Sequence, residues 1–567
     1  MAAGDLPAYL TSTKPNPLSN RAPWYKNTAQ AFAGIFLWFA FYDQLAGTQA
    51  APGTLAMGGL GAALLGLLAA GLICHFLFYL VPGMLGMKTG YPLYIVGTST
   101  FGTKGGYFLP GIFMGLLQIG WYSVATYYAT KLVLAGFGLS DPHDNTLFGP
   151  PPPGGQNAFS LVFVVMAVIW GYLFAFLGGM GVGMVARVAT YFPIVPIVLL
   201  ILAAAMGAKH LGNFDREQVA RNSVAAQAVI DAAVNKAMDQ ARAEGKNEAE
   251  IKAAGEKVAG EMSKAPVDPT ALQQASIGEK GQALVNGLKL AGFLLMIQLV
   301  VGFTATAAAC GADFCSANRN ADDVQKGGLV GITLAILFAG GLAMIAVAGA
   351  QGALNAGIEN GTVKYGQLTN WTFQGALGVL NPKLGGQIMP ILFALGSVAS
   401  ACFCSFIIGN SLSTMLAKPK ARVPITMAGA TIGIVLAALG VAGNLAGFFG
   451  LIGASFGPVI GAMVADYLLS GRKWAGPREG VSIPGYAAWL VGFVVGISNN
   501  SFLFGDNPPV PGWFPTGVAS LIVGFIVYAV LAKAGLEGRT ILLPTANAEA
   551  VAATTGEPAG GEVTANQ

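Results

Sequence analysis

Charge is scarce in this chain. Asp, Glu, Lys and Arg make up only 10% of 567 residues, against about a quarter in a soluble domain. That shortage excludes a solvated globular protein. With 54% hydrophobic residues and a mean hydropathy of +0.62, it implies a polytopic membrane protein whose partner is the lipid bilayer. The net charge of +4 comes without a basic tract or interleaved aromatics, so no nucleic-acid partner is expected. Histidine and cysteine are also few. His75, His143 and His210 lie in separate regions, and Cys74, Cys310, Cys315, Cys402 and Cys404 show no paired-ligand spacing. No disulfide framework, metal site or catalytic triad follows. No phosphate loop or nucleophile and base pair occurs among the apolar stretches, so neither an enzyme nor a bound cofactor is expected. A pore ring or filter motif is missing too, which disfavours a channel.

Glycine is abundant, with 80 residues. Small residues let helices approach closely in lipid, and Gly111 and Gly115, and the series Gly453, Gly457, Gly461, have the required spacing. Apolar runs long enough to cross roughly 30 Å of hydrocarbon fall near 27–50, 56–82, 105–135, 158–178, 182–207, 286–311, 327–350, 386–412, 424–441, 445–469, 484–504 and 513–533. The expected fold class is all-α with 12 transmembrane helices. Residues 1–26 read as a polar cytoplasmic arm, 470–535 as helices 11 and 12 with their connection, and 536–567 as a disordered cytoplasmic tail. Basic residues set the orientation: Lys88, Lys104, Arg319, Lys326, Lys418, Lys420, Arg422, Arg472, Lys473 and Arg478 gather on one side of the spans, which becomes the cytoplasmic side of a cell membrane with both termini inside.

Residues 208–285 break the apolar pattern. The stretch 209–285 holds ten of the 30 Lys and Arg and eleven of the 26 Asp and Glu in an alanine-rich sequence. Val224, Ala228, Ala232 and Lys236 recur at helical spacing. A polar helical hairpin outside the membrane is expected, either a solvated insertion with no role in transport or a lid or partner-docking element.

Polar groups within spans are costly and mark function. Gln118 and Trp121, three apart in span 3, share a helix face and offer an amide beside an indole, suited to an uncharged planar heterocycle or to helix packing. Asp43 is the one acid well inside a span. With Gln44 it could mark an interruption of span 1 whose freed carbonyls bind a cation, or stand solvated at the outer surface. Ser397, Ser400 and Cys404 share a face of span 8, with Ser405 beside it. These hydroxyls could complete a Na⁺ site, since hard cations take oxygen ligands, or bond back to their own helix. Asp313 and Asp466, at the ends of spans 6 and 10, have Arg319, Arg472 and Lys473 as neighbours with which they can pair.

Three segments carry a resemblance. GMKTGYPLYIVGTSTFGTKGGYFLPGIFMGLLQIGWYSV (Gly86 to Val124), ADFCSANRNA (Ala312 to Ala321) and NLAGFFGLIGASFGPVIGAMVADYLLSGRK (Asn444 to Lys473) resemble, in order, segments of the nucleobase:cation symporter-1 family, the purine and cytosine permeases, closest to the cytosine branch with its Gln-x-Gly-Trp order. The resemblance implies a five-plus-five inverted repeat of the leucine-transporter type, with repeat 1 over 27–207, repeat 2 over 286–469 and two helices added. It implies import of a nucleobase or related ring (cytosine-, purine- or hydantoin-like) by symport with Na⁺ or H⁺ as coupling ion. The implied substrate set is Gln118, Trp121, Phe303, Thr304, Thr306 and Ser405, and the candidate cation set is Asp43, Ser397 and Ser400. The chain departs from the family pattern in span 8, where Ala401 to Ser405 replace Asn and Asp, and in its long insertion. A non-transporting ligand sensor, and a carrier of another ring metabolite or vitamin, are the rival readings.

Overall fold

The computed structural model describes residues 6–47, 53–137, 161–287, 289–443, 445–505, 507–541 and 543; the expected tail beyond 543 lies outside them. Among the described residues, ten helices are long and apolar enough to cross a membrane: Thr54–Thr89, Tyr107–Gly136, Leu161–Gly179, Val182–Ala208, Lys289–Ala309, Ala321–Gly357, Leu384–Met415, Pro419–Ala438, Gly447–Leu469 and Thr516–Lys533. They are spans 2 to 10 and 12. Span 11 is the shorter Ile483–Ile497. Span 1 is broken into Thr28–Phe36 and Phe39–Ala46.

The break lies at Leu37 and Trp38, where Trp38 is extended (φ −103°, ψ 129°). It does not fall at Asp43 and Gln44, which stand in regular helix beyond it. Span 2 contains a widened π turn at Cys74–Tyr79, whereas span 3 is kinked near its start at Leu109 (φ −110°, ψ 115°) and Pro110. Their counterparts five spans later, 7 and 8, carry π turns at Leu329–Leu334 and Leu384–Ile388. Glycine permits the closest crossings: a β-carbon at Gly461 of span 10 would stand 2.1 Å from the Leu521 carbonyl oxygen of span 12.

The segments on either side of the span bundle are ordered by specific bonds. At the end holding both described termini, the Tyr9 hydroxyl donates to the Thr103 carbonyl (2.6 Å) and Arg21 donates to the carbonyls of Met87 (2.5 Å) and Asn318 (3.3 Å). Asp466 pairs with Arg478 at 2.7 Å, not with Arg472 or Lys473, and Arg478 also reaches Glu537 at 3.0 Å. The Asp466 carboxylate further accepts from Ser99 (2.6 Å) and Thr100 (3.0 Å). Arg319 pairs with Asp323 at 2.8 Å rather than with Asp313. Asp313 instead accepts from the Leu93 N–H at 3.2 Å. In both cases the helix end turns the acid away from its sequence neighbours and toward the connection between spans 2 and 3.

At the opposite end, the insertion forms helices Arg216–Ala243 and Glu248–Lys264. Asp215 caps the first through the N–H groups of Glu217 and Gln218, Gly245 turns the chain at φ +72°, and Asn247 with Glu250 closes a capping box on the second. Between spans 7 and 8 lie two short helices without a sequence expectation, Tyr365–Thr369 and Phe373–Leu380.

Candidate functional site

The break in span 1 delivers Trp38 to the centre of the bundle. There a small cavity of about 20 Å³ is lined by Ile35 and Trp38 of span 1, Gln118, Trp121 and Ala125 of span 3, Phe303, Thr306 and Ala307 of span 6, and Ser400, Phe403 and Cys404 of span 8. None of these side chains is charged. Room for about one water means that no heterocycle fits until the walls move. The structure is therefore a closed state of this cavity.

Trp121 is held on several sides. Its indole N–H donates to Thr306 Oγ1 at 3.0 Å, and its ring meets Phe303 at 5.2 Å, Phe448 at 5.0 Å, Phe449 at 5.3 Å and Trp38 at 6.0 Å. Phe303 stands at 77° to Trp121, an edge-on packing in which no flat ring lies between them. Two polar atoms in this lining lack partners: Trp38 Nε1 and Gln118 Oε1. Gln118 Nε2 has only the Met114 sulfur, at 3.5 Å. Buried polar atoms without partners are costly, so a guest that supplied an acceptor and a donor would relieve both.

Four of the six expected substrate residues, Gln118, Trp121, Phe303 and Thr306, meet at this cavity. Thr304 and Ser405 do not reach it. Thr304 donates back to the Val300 carbonyl at 2.7 Å. Ser405 donates to the carbonyls of Phe174 (3.3 Å) and Cys402 (3.1 Å) and faces span 4, against Gly178. One residue along a helix turns the side chain by about 100°, which takes Ser405 off the face of Cys404. Trp38 and Phe403 were not foreseen; the only signal for Trp38 was the aromatic density of FLWFAFY.

The three expected cation residues separate. Ser397 and Ser400 lie where span 8 presses on the first half of span 1: a β-carbon at Gly396 would stand 2.4 Å from the Leu37 carbonyl oxygen, and one at Gly34 would meet Ala399 Cβ at 3.1 Å. Ser397 Oγ is buried without a partner, while Ser400 donates to the Ser397 carbonyl at 3.1 Å. Asp43 is in the second half of span 1 and accepts from the Gln374 N–H at 3.1 Å, outside the cavity and away from the serines. A second, larger cavity of about 340 Å³ opens toward the insertion end, lined by residues that include Gln44, Gln298, Asn499, Trp513 and Phe449. Phe449 thus stands between the two cavities. Among the described residues no group of His, Cys, Asp and Glu could hold a metal, and the five cysteines are buried and free.

Neither a family model nor a curated protein matches the sequence. Solved structures do match along nearly the whole chain. Mhp1, a nucleobase-cation-symport-1 family transporter in a closed conformation with bromovinylhydantoin bound, aligns with a TM-score of 0.54 at 14% identity, covering 97% of each chain. The inward-facing conformation of Mhp1 gives 0.50 at 15% identity, covering 95% of this chain and 98% of that one. The chain has the leucine-transporter fold. Its neighbours are transporters, not enzymes. The small cavity lies beside Leu37 and Trp38, at the break of span 1.

Proposed function

We propose that the protein imports a small, neutral, planar heterocycle of the nucleobase or hydantoin kind across the cell membrane, by symport with Na⁺ or H⁺ and alternating access. The observation that carries this reading is the uncharged cavity at the break of span 1, where Gln118, Trp121, Phe303 and Thr306 converge. Aromatic walls favour a flat apolar body, and the unpartnered Gln118 oxygen and Trp38 N–H favour a ring edge with adjacent donor and acceptor. Thr306 secures the Trp121 indole rather than contacting the ring itself. The likeness to a transporter with a bound hydantoin derivative supports the same class. Proteoliposome uptake of cytosine, uracil, adenine and hydantoin, each with and without Na⁺, tests it. Concentrative uptake of at least one is expected; saturable binding without accumulation for all of them would make the protein a sensor instead.

For the coupling ion, the Leu37 carbonyl, against which Gly396 of span 8 packs, and the hydroxyls of Ser397 and Ser400 one and four residues further along that helix are neutral oxygens of the kind Na⁺ takes. Asp43 is too far along span 1 to join them and acts instead as an anchor for the connection between spans 7 and 8. Ser397→Ala with Ser400→Ala is expected to raise the Na⁺ concentration needed for half-maximal uptake by roughly tenfold, the effect of about 1.4 kcal/mol of lost ligation. Unaltered uptake driven by a proton gradient in Na⁺-free buffer would remove the serines from the coupling role.

A further inference from the structure

The insertion grips the connection between spans 7 and 8 from both sides. Before the helix Tyr365–Thr369, the Val267 N–H donates to the Val363 carbonyl at 2.8 Å and the Tyr365 N–H to the Ala265 carbonyl at 3.2 Å. After it, the Trp371 indole N–H donates to Ser223 Oγ at 2.9 Å. Trp371 is 2% exposed and packs with Val219 of the insertion and Ala56 of span 2. A separate apolar cluster joins Ile230, Val267 and Leu272 of the insertion to Val363, Tyr365 and Leu368 of the connection. The base of the insertion is fixed as well: the Arg216 guanidinium donates to the carbonyls of Ala56 (3.3 Å), Leu284 (3.3 Å) and Val285 (2.7 Å), tying its start to its end and to the first turn of span 2.

The gripped connection in turn holds the second half of span 1. Three residues after Trp371, the Gln374 N–H donates to Asp43. Phe373 packs edge-on against Phe39 at 5.4 Å and Tyr42 at 5.2 Å, and all three rings are fully buried. Phe39 follows Trp38 directly in the chain, so departure of the second half of span 1 from Phe373 would shift the wall that Trp38 gives to the cavity. A path of contacts and chain neighbours therefore runs from Ser223 through Trp371 and Phe373 to Phe39, the residue next to Trp38.

We propose that the insertion is a brace on the gate: by fixing the connection between spans 7 and 8, it stabilises the state closed at the insertion end and sets how often the cavity opens there. This rests on reading the central cavity as the transport site. A ligand-free solvated appendage would need no buried tryptophan and no bonds on both flanks of the gating segment. Loss of a bond that exists only in the closed state shifts the population toward the open one.

The test uses the full-length protein in detergent or nanodiscs, with Trp371→Phe, Ser223→Ala and Arg216→Met compared with wild type by hydrogen exchange. Amides of residues 39–46 and 365–380 are expected to exchange roughly three- to tenfold faster in each variant, with spans 9 and 10 unchanged. Exchange as slow as wild type in all three overturns the brace, and so does faster exchange spread evenly over every span, which would report general loosening. Trp371→Phe keeps the ring in its pocket, so a folded variant is available even if Arg216→Met fails to assemble. Exchange needs no substrate. Faster local exchange in a protein that accumulates no ring compound would keep the brace and overturn the import reading; wild-type exchange in a variant series whose parent imports would do the reverse.

Discussion

Trp121→Ala is expected to reduce substrate uptake roughly a hundredfold or more, with Gln118→Ala falling about tenfold. The tryptophan touches four other aromatic rings and carries the bond to Thr306, so truncation both removes the wall of the cavity and empties a packed region. Replacing a buried tryptophan by alanine costs about 3–5 kcal/mol, and every 1.4 kcal/mol is tenfold. Some of that cost falls on folding. Trp121→Phe separates the two effects, because it keeps most of the ring contacts while deleting the indole N–H. Its uptake is expected to fall several-fold at nearly unchanged thermal stability. Gln118→Ala removes an amide whose oxygen has no partner inside the protein, so it spares the fold and weakens substrate binding alone. Uptake per molecule at the membrane, measured with monodispersity by size-exclusion chromatography, checks both. Wild-type uptake in Trp121→Ala would remove the cavity from the transport path.

Arg478→Met is expected to destabilise the protein by about 3–5 kcal/mol, because removing one partner leaves the other charge buried. The side chains of Arg478 and Asp466 are only 5% and 4% exposed. Arg478 also donates to the Ser99 carbonyl and to the Tyr528 hydroxyl, so one guanidinium joins the connection between spans 2 and 3 to spans 10 and 12. Asp466 would keep Ser99 and Thr100 as donors but lose its counter-charge. The double substitution Arg478→Met with Asp466→Leu is expected to be milder than Arg478→Met alone, since the buried Asp466 charge is gone and only Glu537, 29% exposed, is left without its partner. Thermal unfolding in detergent reads both. An unfolding temperature for Arg478→Met equal to wild type would show that the pair contributes nothing.

The limits of the sequence as a guide fall along physical lines. Gln118 and Trp121 were legible because three-residue spacing on a helix fixes a shared face whatever the surroundings. The polytopic helical class was legible from the scarcity of charge. Trp38 was not, since the break in span 1 carries neither proline nor glycine at Leu37 or Trp38 and is imposed by the packing of span 8, where Gly396 admits the Leu37 carbonyl. Ser405 looked equivalent to its neighbour Cys404, yet a rotation of one residue points it at span 4. Asp466 was matched to the nearest basic residues in sequence, whereas the turn after span 10 returns Arg478 to it. The helices between spans 7 and 8 escaped notice because they are short and their apolar residues face the insertion and span 1, not one another.

The π turns in spans 2, 7 and 8 bear on where these helices can bend. A π turn accommodates an extra residue and locally relaxes the backbone ladder, which makes it a natural joint. Spans 2 and 7 each hold such a joint, CHFLFY in one and LVGITL in the other, but the first lies past the middle of its helix and the second near the start, so the two helices bend at unlike points. Substitutions that straighten one of these joints would stiffen its own helix and leave the other free to bend.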